Sequence, residues 1–200
     1  MDEFITSQRP FFKRWLRLTW AGWVLGIPLI VVLALAGEVV GIGGSQVLVG
    51  LGMGIGVGLM QARAIRAVLD NSGAWFWSCA IGLALPFLAS DIAGVAEWDV
   101  SYSLHVCVAL GGFLVGLWQS FLLRRSVAKA GYWVGGSALG WLLAAAPVAL
   151  VDALPLRGIW GAVLYLSGAV VGGLILGAVT GRMLIWLHRG GEISARPDKV

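Results

Sequence analysis

Charged side chains are scarce in this sequence of 200 residues: Asp, Glu, Lys and Arg together make up 12%, whereas 59% of the residues are hydrophobic. Water-soluble domains contain about 25% charged and about 45–50% apolar residues. The deficit leaves too little polar surface to cover a soluble globule. A membrane-spanning helix needs about 20 apolar residues, because the hydrocarbon core is about 30 Å thick and a helix rises about 1.5 Å per residue. The composition therefore predicts an integral membrane protein.

Catalytic and metal-binding motifs are also lacking. The chain has two cysteines and two histidines, and it contains no CxxC, HExxH, phosphate-binding loop or plausibly spaced Ser–His–Asp set. We therefore expect no enzyme activity, no metal and no other cofactor. Cys79 and Cys107 belong to different predicted helices and should lie roughly 15 Å apart from helix rise alone. A disulfide requires Cα atoms within about 7 Å, so two free, buried thiols are expected.

Six long apolar runs are present, and each is predicted to be a helix, because a backbone in lipid must satisfy its hydrogen bonds internally. The runs are approximately Leu16–Ala36, Gln46–Ala64, Trp75–Val95, Leu104–Leu123, Trp133–Val151 and Ile159–Leu187. They predict an all-α membrane protein with one integral membrane domain over residues 1–200. The basic start of the first run and Ala34-Leu35-Ala36 also resemble a signal peptide. Both the run and its basic leader are long for one.

The distribution of Lys and Arg predicts the orientation. Thirteen of the 14 basic residues flank the runs on one side, and only Arg157 falls on the other. The thirteen are Arg9, Lys13, Arg14, Arg17, Arg63, Arg66, Arg124, Arg125, Lys129, Arg182, Arg189, Arg196 and Lys199. Loops on the other side carry Glu38, Asp91, Glu97, Asp99 and Asp152. Since basic loops stay in the cytoplasm, both termini are predicted to be cytoplasmic, with a tail over residues 188–200. Basic residues placed this way do not indicate nucleic-acid binding.

The sequence repeats itself with a period of about 60 residues. At a shift of 58, Gly54, Gly58 and Gln61 fall on Gly112, Gly116 and Gln119; at a shift of 61, the latter three fall on Gly173, Gly177 and Thr180. The first, third and fifth runs each carry a proline: Pro28, Pro86 and Pro147. We predict three tandem helical hairpins over approximately 16–66, 73–125 and 131–187, arranged as a pseudo-threefold bundle.

The repeat defines three sets of candidate residues. The six glycines of the GxxxG pairs favour close helix packing, and a conduit lining is the functional alternative. Gln61, Gln119 and Thr180 are expected to form a polar ring facing the axis, which would serve either as a gate or as ordinary interhelical hydrogen bonding. Asp91 and Asp152 are expected near the outer ends of equivalent helices, more readily as exposed loop carboxylates than as buried ones. His105 is close enough in the sequence to pair with Asp91 as an outer acidic site.

Most of the 11 tryptophans are expected near membrane interfaces, where aromatic belts form. These are Trp15, Trp20, Trp23, Trp75, Trp77, Trp98, Trp133 and Trp186. Trp118 and Trp141 lie deeper, where a tryptophan-rich lining would hold a pigment or a lipid tail.

The stretch GFLVGLWQSFLLRRSVAKAGYWVGGSALGW, from Gly112 to Trp141, resembles a group of uncharacterised bacterial polytopic membrane proteins with GxxxGxxQ…RR…W…SxxGW hairpin repeats. The resemblance implies a membrane protein with this repeat structure, and it implies no activity. The expected location is the inner (plasma) membrane of a bacterium. Two functions therefore stay open. One is a small transporter- or channel-like protein with a path past the polar ring. The other is a non-catalytic accessory subunit that docks on other membrane proteins, or on itself, through its glycine faces. Membrane lipid is the one partner expected in either case.

Overall fold

A computed structural model describes residues 2–66, 69, 71–98, 104–127, 129–154 and 158–194. These residues form six α-helices, and no strand is found among them. The helices are α1 (Asp2–Val39), α2 (Val47–Ile65), α3 (Ser72–Val95), α4 (Leu104–Leu123), α5 (Tyr132–Asp152) and α6 (Gly158–Ser194). All six are long and apolar enough to cross a membrane, which confirms the prediction of an all-α protein with six such helices.

The ends of the helices follow local sequence signals. Asn71 precedes α3, and its side chain accepts a hydrogen bond from the backbone N–H of Ala74 at 3.1 Å, as a helix N-cap does. The connection between α1 and α2 contains Gly41 and Gly44 with φ of 79° and 78°, a conformation that favours glycine. The connections are short, so each helix lies beside the next one in the chain.

The six helices form a closed ring. Each helix packs against the one before it and the one after it, and α6 packs against α1. At one end of the ring, where α1 begins and α6 ends, Arg14 Nη2 donates to the carbonyl oxygen of Arg63 at 2.9 Å. We call this the basic end. At the opposite end, the acidic end, the side chains of His105 and Asp152 face each other at 4.0 Å.

Candidate functional site

Three tryptophans each donate an indole hydrogen bond to a polar side chain on a neighbouring helix. The tryptophans lie on α1, α3 and α5. The acceptors lie on the neighbouring even-numbered helices: on α6 for the tryptophan of α1, on α2 for that of α3 and on α4 for that of α5. The Nε1–oxygen distances are 3.0 Å for Trp15 to Thr180, 3.1 Å for Trp75 to Gln61 and 2.9 Å for Trp133 to Gln119. The predicted polar ring residues are therefore hydrogen-bonded to a set of tryptophans.

The three indoles meet in the middle of the ring. The ring centroids of Trp15 and Trp75 are 6.0 Å apart, and those of Trp75 and Trp133 are 5.7 Å apart. Trp15 and Trp75 are 0% exposed and Trp133 is 1% exposed. Trp75 and Trp133 lie in the first turns of α3 and α5, but all three side chains point inward and fill the bundle, so they do not form a lipid-facing belt. The shift of 58 that relates Gln61 to Gln119 also relates Trp75 to Trp133, and this shared register is the sequence signal for a repeated buried position.

Each glutamine also contacts the preceding odd-numbered helix. Gln61 Nε2 donates to Thr19 Oγ1 on α1 at 3.4 Å, and Gln119 Nε2 donates to Cys79 Sγ on α3 at 3.2 Å. A glutamine therefore bridges two helices that are not neighbours in the chain. Thr180 is too short for such a bridge, and its hydroxyl donates instead to the carbonyl of Leu176 within α6, at 2.6 Å.

The polar ring and the indoles close the bundle near the basic end. Gln61, Gln119 and Thr180 are at most 3% exposed, and all three take part in hydrogen bonds. Buried polar groups whose hydrogen bonds are satisfied give a sealed layer rather than a wet passage. Cys79, which lies in this layer, and Cys107 are both free and buried.

The six GxxxG glycines lie against helices of the same chain. Gly54 and Gly58 pack on α3, Gly112 and Gly116 on α5, and Gly173 and Gly177 on α1. A Cβ atom added to Gly54 would lie 2.5 Å from the carbonyl oxygen of Cys79, and one added to Gly116 would lie 2.7 Å from Ser137 Cβ. These glycine faces are thus covered internally and are not available to a second protein.

A cavity of about 340 Å³ lies between the sealed layer and the acidic end. All six helices contribute to its wall, and the lining side chains are almost all apolar. Among them are Ile27, Met53, Phe87, Val108, Val148 and Leu166. Small-molecule sites in proteins are commonly apolar concavities of about 300–1,000 Å³. The cavity falls within that range.

The floor of the cavity is formed by Trp23, Leu83 and Trp141. Each stands eight residues after one of the three central tryptophans, about 12 Å along the helix. The rings of Trp23 and Trp141 are 5.6 Å apart. All three side chains are buried, with at most 6% of each exposed.

Two nitrogen atoms on lining residues are buried without a hydrogen-bond partner among the described residues: Trp23 Nε1 and His105 Nε2. A buried donor or acceptor left unpaired costs about 1–3 kcal/mol. The wall of an otherwise apolar cavity therefore includes two polar atoms whose hydrogen-bonding capacity is unused.

The outer acidic residues do not form one cluster. Asp91 lies within α3, so its interpretation as a loop carboxylate is wrong, and α5 ends at Asp152. His105 lies 4.0 Å from Asp152, whereas Asp91 binds the start of α2. Within the described part of the chain, no three His, Cys, Asp or Glu side chains are grouped so as to hold a metal ion.

Asp91 caps α2 from a neighbouring helix. Its two carboxylate oxygens accept hydrogen bonds from the backbone N–H groups of Gln46 and Val47, both at 2.8 Å. These are donors that a helix N-terminus leaves unsatisfied, and the negative charge also complements the helix dipole.

Replacing Asp91 by alanine is expected to lower the free energy of unfolding by about 1–2 kcal/mol, as loss of an N-cap does. Denaturation of the purified protein in mild detergent measures the effect. Asp152→Ala is the matched control, since Asp152 is half exposed and lies at the equivalent sequence position, 61 residues later. We expect the control to change stability by under about 0.5 kcal/mol. Equal losses in the two variants would contradict a capping role.

No protein-family model, no curated protein and no solved structure matches the chain.

Proposed function

We propose that this chain is a small transporter-type membrane protein that binds an apolar molecule in the cavity and is gated at the basic end by the polar ring. The observation that carries the proposal is the apolar cavity of about 340 Å³ lined by all six helices. A carrier needs a binding site near the middle of the membrane that is open toward one side at a time. A cavity that lies between the layer of indoles and the acidic end would supply such a site.

The proposal includes three hairpin repeats around a pseudo-threefold axis. Its support is the recurrence of one arrangement on three pairs of helices: an indole donor on an odd-numbered helix and a polar acceptor on the helix before it. The last pair, Trp15 and Thr180, joins the two ends of the chain and closes the ring. Because each acceptor holds one of the central indoles, we assign the gate to these three hydrogen-bonded pairs.

A carrier fits the sealed layer better than an open channel does. Gln61 and Gln119 are buried and hydrogen-bonded, so ions have no wet route at their level. Hydrogen bonds between membrane helices average only about 0.6 kcal/mol, so exchanging several of them during a conformational change costs little free energy. The predicted cytoplasmic position of the basic end then places the cavity on the far side of the gate from the cytoplasm, in a bacterial plasma membrane.

The accessory-subunit function has less support. It required free glycine faces for docking, and the GxxxG glycines of α2, α4 and α6 are already packed against α3, α5 and α1.

Photo-crosslinking with benzophenone, a small apolar ketone, tests the cavity. We expect saturable labelling of the purified protein at Met53, which lines the cavity. Ala145→Phe places a ring in the cavity wall and should weaken labelling about tenfold, equivalent to about 1.4 kcal/mol of binding. Ala146→Phe is the matched control, because Ala146 is the next residue of α5 and is exposed on the outside of the bundle. Labelling that is unsaturable, or equally reduced in both variants, would contradict the binding site.

The gate is tested in the same samples by the reactivity of Cys79 in a Cys107→Ser background. Cys79 is fully buried beside Gln119. If the protein is a carrier, the ligand should change the rate at which a membrane-permeant maleimide modifies Cys79. Saturable labelling of Met53 with no change in Cys79 reactivity would mean a binding protein that does not open its gate.

A further inference from the structure

A second cleft lies at the basic end, away from the central cavity. It has a volume of about 350 Å³ and lies between the connection from α2 to α3 and the final turns of α4. Its polar side chains are Asn71, Arg125 and Ser126. None of these three residues lines the central cavity or belongs to the proposed gate.

One wall of the cleft changes from apolar to cationic along the chain. Trp118, Phe121 and Leu122 line it from one side of α4, since their spacing of three and four residues places them on the same helix face. Arg125 and Ser126 line it from the turn that follows the end of α4 at Leu123. Trp118 is 40% exposed and Phe121 is 53% exposed, so the apolar part of this wall is open to a ligand.

The guanidinium of Arg125 suits an anionic ligand. Arg125 is the one charged residue among the described residues that line the cleft. The neighbouring guanidinium of Arg124 lies 4.5 Å from the ring centroid of Phe121 and does not line the cleft. An arginine fork matches the geometry of a phosphate group, with which it forms two parallel hydrogen bonds.

We propose that this cleft binds one anionic phospholipid from the leaflet at the basic end. The phosphate contacts Arg125 and Ser126, and an acyl chain covers Phe121 and Trp118. A free phosphate would satisfy only the polar half of the cleft, whereas a phospholipid matches both halves in the order in which they occur along α4 and the turn that follows it. Basic clefts between membrane helices on the cytoplasmic side are typical binding places for anionic lipid headgroups. The proposal is independent of the function proposed above.

Native mass spectrometry of the full chain in detergent tests the site, with phosphatidylglycerol and phosphatidylcholine of identical acyl chains as probes. We expect one phosphatidylglycerol to bind more tightly than phosphatidylcholine does. Arg125→Gln should weaken phosphatidylglycerol binding about fivefold, which corresponds to about 1 kcal/mol. Arg124→Gln removes the same charge one residue away and should leave the affinity within about twofold, because Arg124 lies outside the cleft.

Two further measurements distinguish a bound phospholipid from a bound free phosphate. Glycerol 3-phosphate, which has the phosphate without the chains, should not displace the lipid. Trp118→Ala should weaken lipid binding, whereas Phe113→Ala, on an exposed part of α4 away from the cleft, should not. Equal losses for the two arginine variants, equal binding of the two lipids, or displacement by glycerol 3-phosphate would overturn the proposal.

Discussion

Replacing Trp75 by alanine is expected to lower the free energy of unfolding by about 3–5 kcal/mol, the range measured when a fully buried large aromatic side chain is truncated. Trp75 is the middle indole of the three, with ring contacts to Trp15 at 6.0 Å and to Trp133 at 5.7 Å. Its removal leaves an empty volume at the centre of the bundle and takes the indole donor away from Gln61 Oε1. In a membrane interior this loss consists mainly of dispersion contacts and one interhelical hydrogen bond, and lipid cannot replace either at the axis.

The matched control for this variant is Trp77→Ala. Trp77 belongs to the same helix, two residues further along, and is 55% exposed on the outside of the bundle. Its loss should cost under about 1 kcal/mol, because the vacated surface is filled by lipid or detergent. Both variants are compared by denaturation of the purified protein in one detergent. Similar stabilities for the two would mean that Trp75 is not packed at the centre.

The extent of the apolar runs predicted the inner helices well and the outer two less well. α4 covers Leu104–Leu123, the same residues as the predicted run, because its apolar length and its helical length coincide. α1 begins at Asp2 and α6 continues to Ser194, beyond the predicted limits. Hydropathy detects where a helix enters lipid, but a helix that continues into a polar segment gives no such signal at its true end.

The direction in which each tryptophan side chain faces was harder to predict than the extent of the helices. The aromatic-belt rule assigns most of the tryptophans to the membrane interface, since that is where they are enriched in membrane proteins. Whether a particular indole faces lipid or the bundle depends on its depth and on which face of the helix it occupies. Trp75 and Trp77 differ by two residues on one helix, yet the first is fully buried and the second is more than half exposed. The repeat register relates Trp75 to Trp133 as it relates Gln61 to Gln119, but register alone does not show that the indoles donate to the glutamines.

The central cavity was not predictable from the sequence. Its wall takes side chains from six helices, and no segment of the chain carries a pattern that identifies it. The cavity exists because bulky layers, such as Trp23 with Trp141, are followed toward the acidic end by positions that do not fill the axis. Such a change of packing along an axis depends on how the helices cross, which hydropathy and spacing do not report.

Gly54→Ala is expected to destabilise the protein by about 3 kcal/mol, the upper part of the range for overpacking a dense interface. The added Cβ would lie 2.5 Å from the carbonyl oxygen of Cys79 and 2.8 Å from the Cα atom of Ala80. Both are backbone atoms of α3 and have no rotamer by which to move aside, so α2 and α3 would have to separate. That separation would also disturb the hydrogen bond between Trp75 and Gln61, which joins the same two helices.

Gly135→Ala should change the free energy of unfolding in the opposite direction, by stabilising the protein. This difference between the two variants makes the test decisive. A Cβ added to Gly135 in α5 meets no atom within 4 Å, so only the helix propensity changes, and alanine is favoured over glycine by about 0.5–1 kcal/mol. Denaturation curves for the two variants and the unaltered protein therefore should place the unaltered protein between them. A tolerated Gly54→Ala would mean that α2 and α3 are further apart than the contact at Cys79 requires. A destabilised Gly135→Ala would mean that this face of α5 is covered by something outside the chain, and the accessory-subunit function would regain its docking surface there.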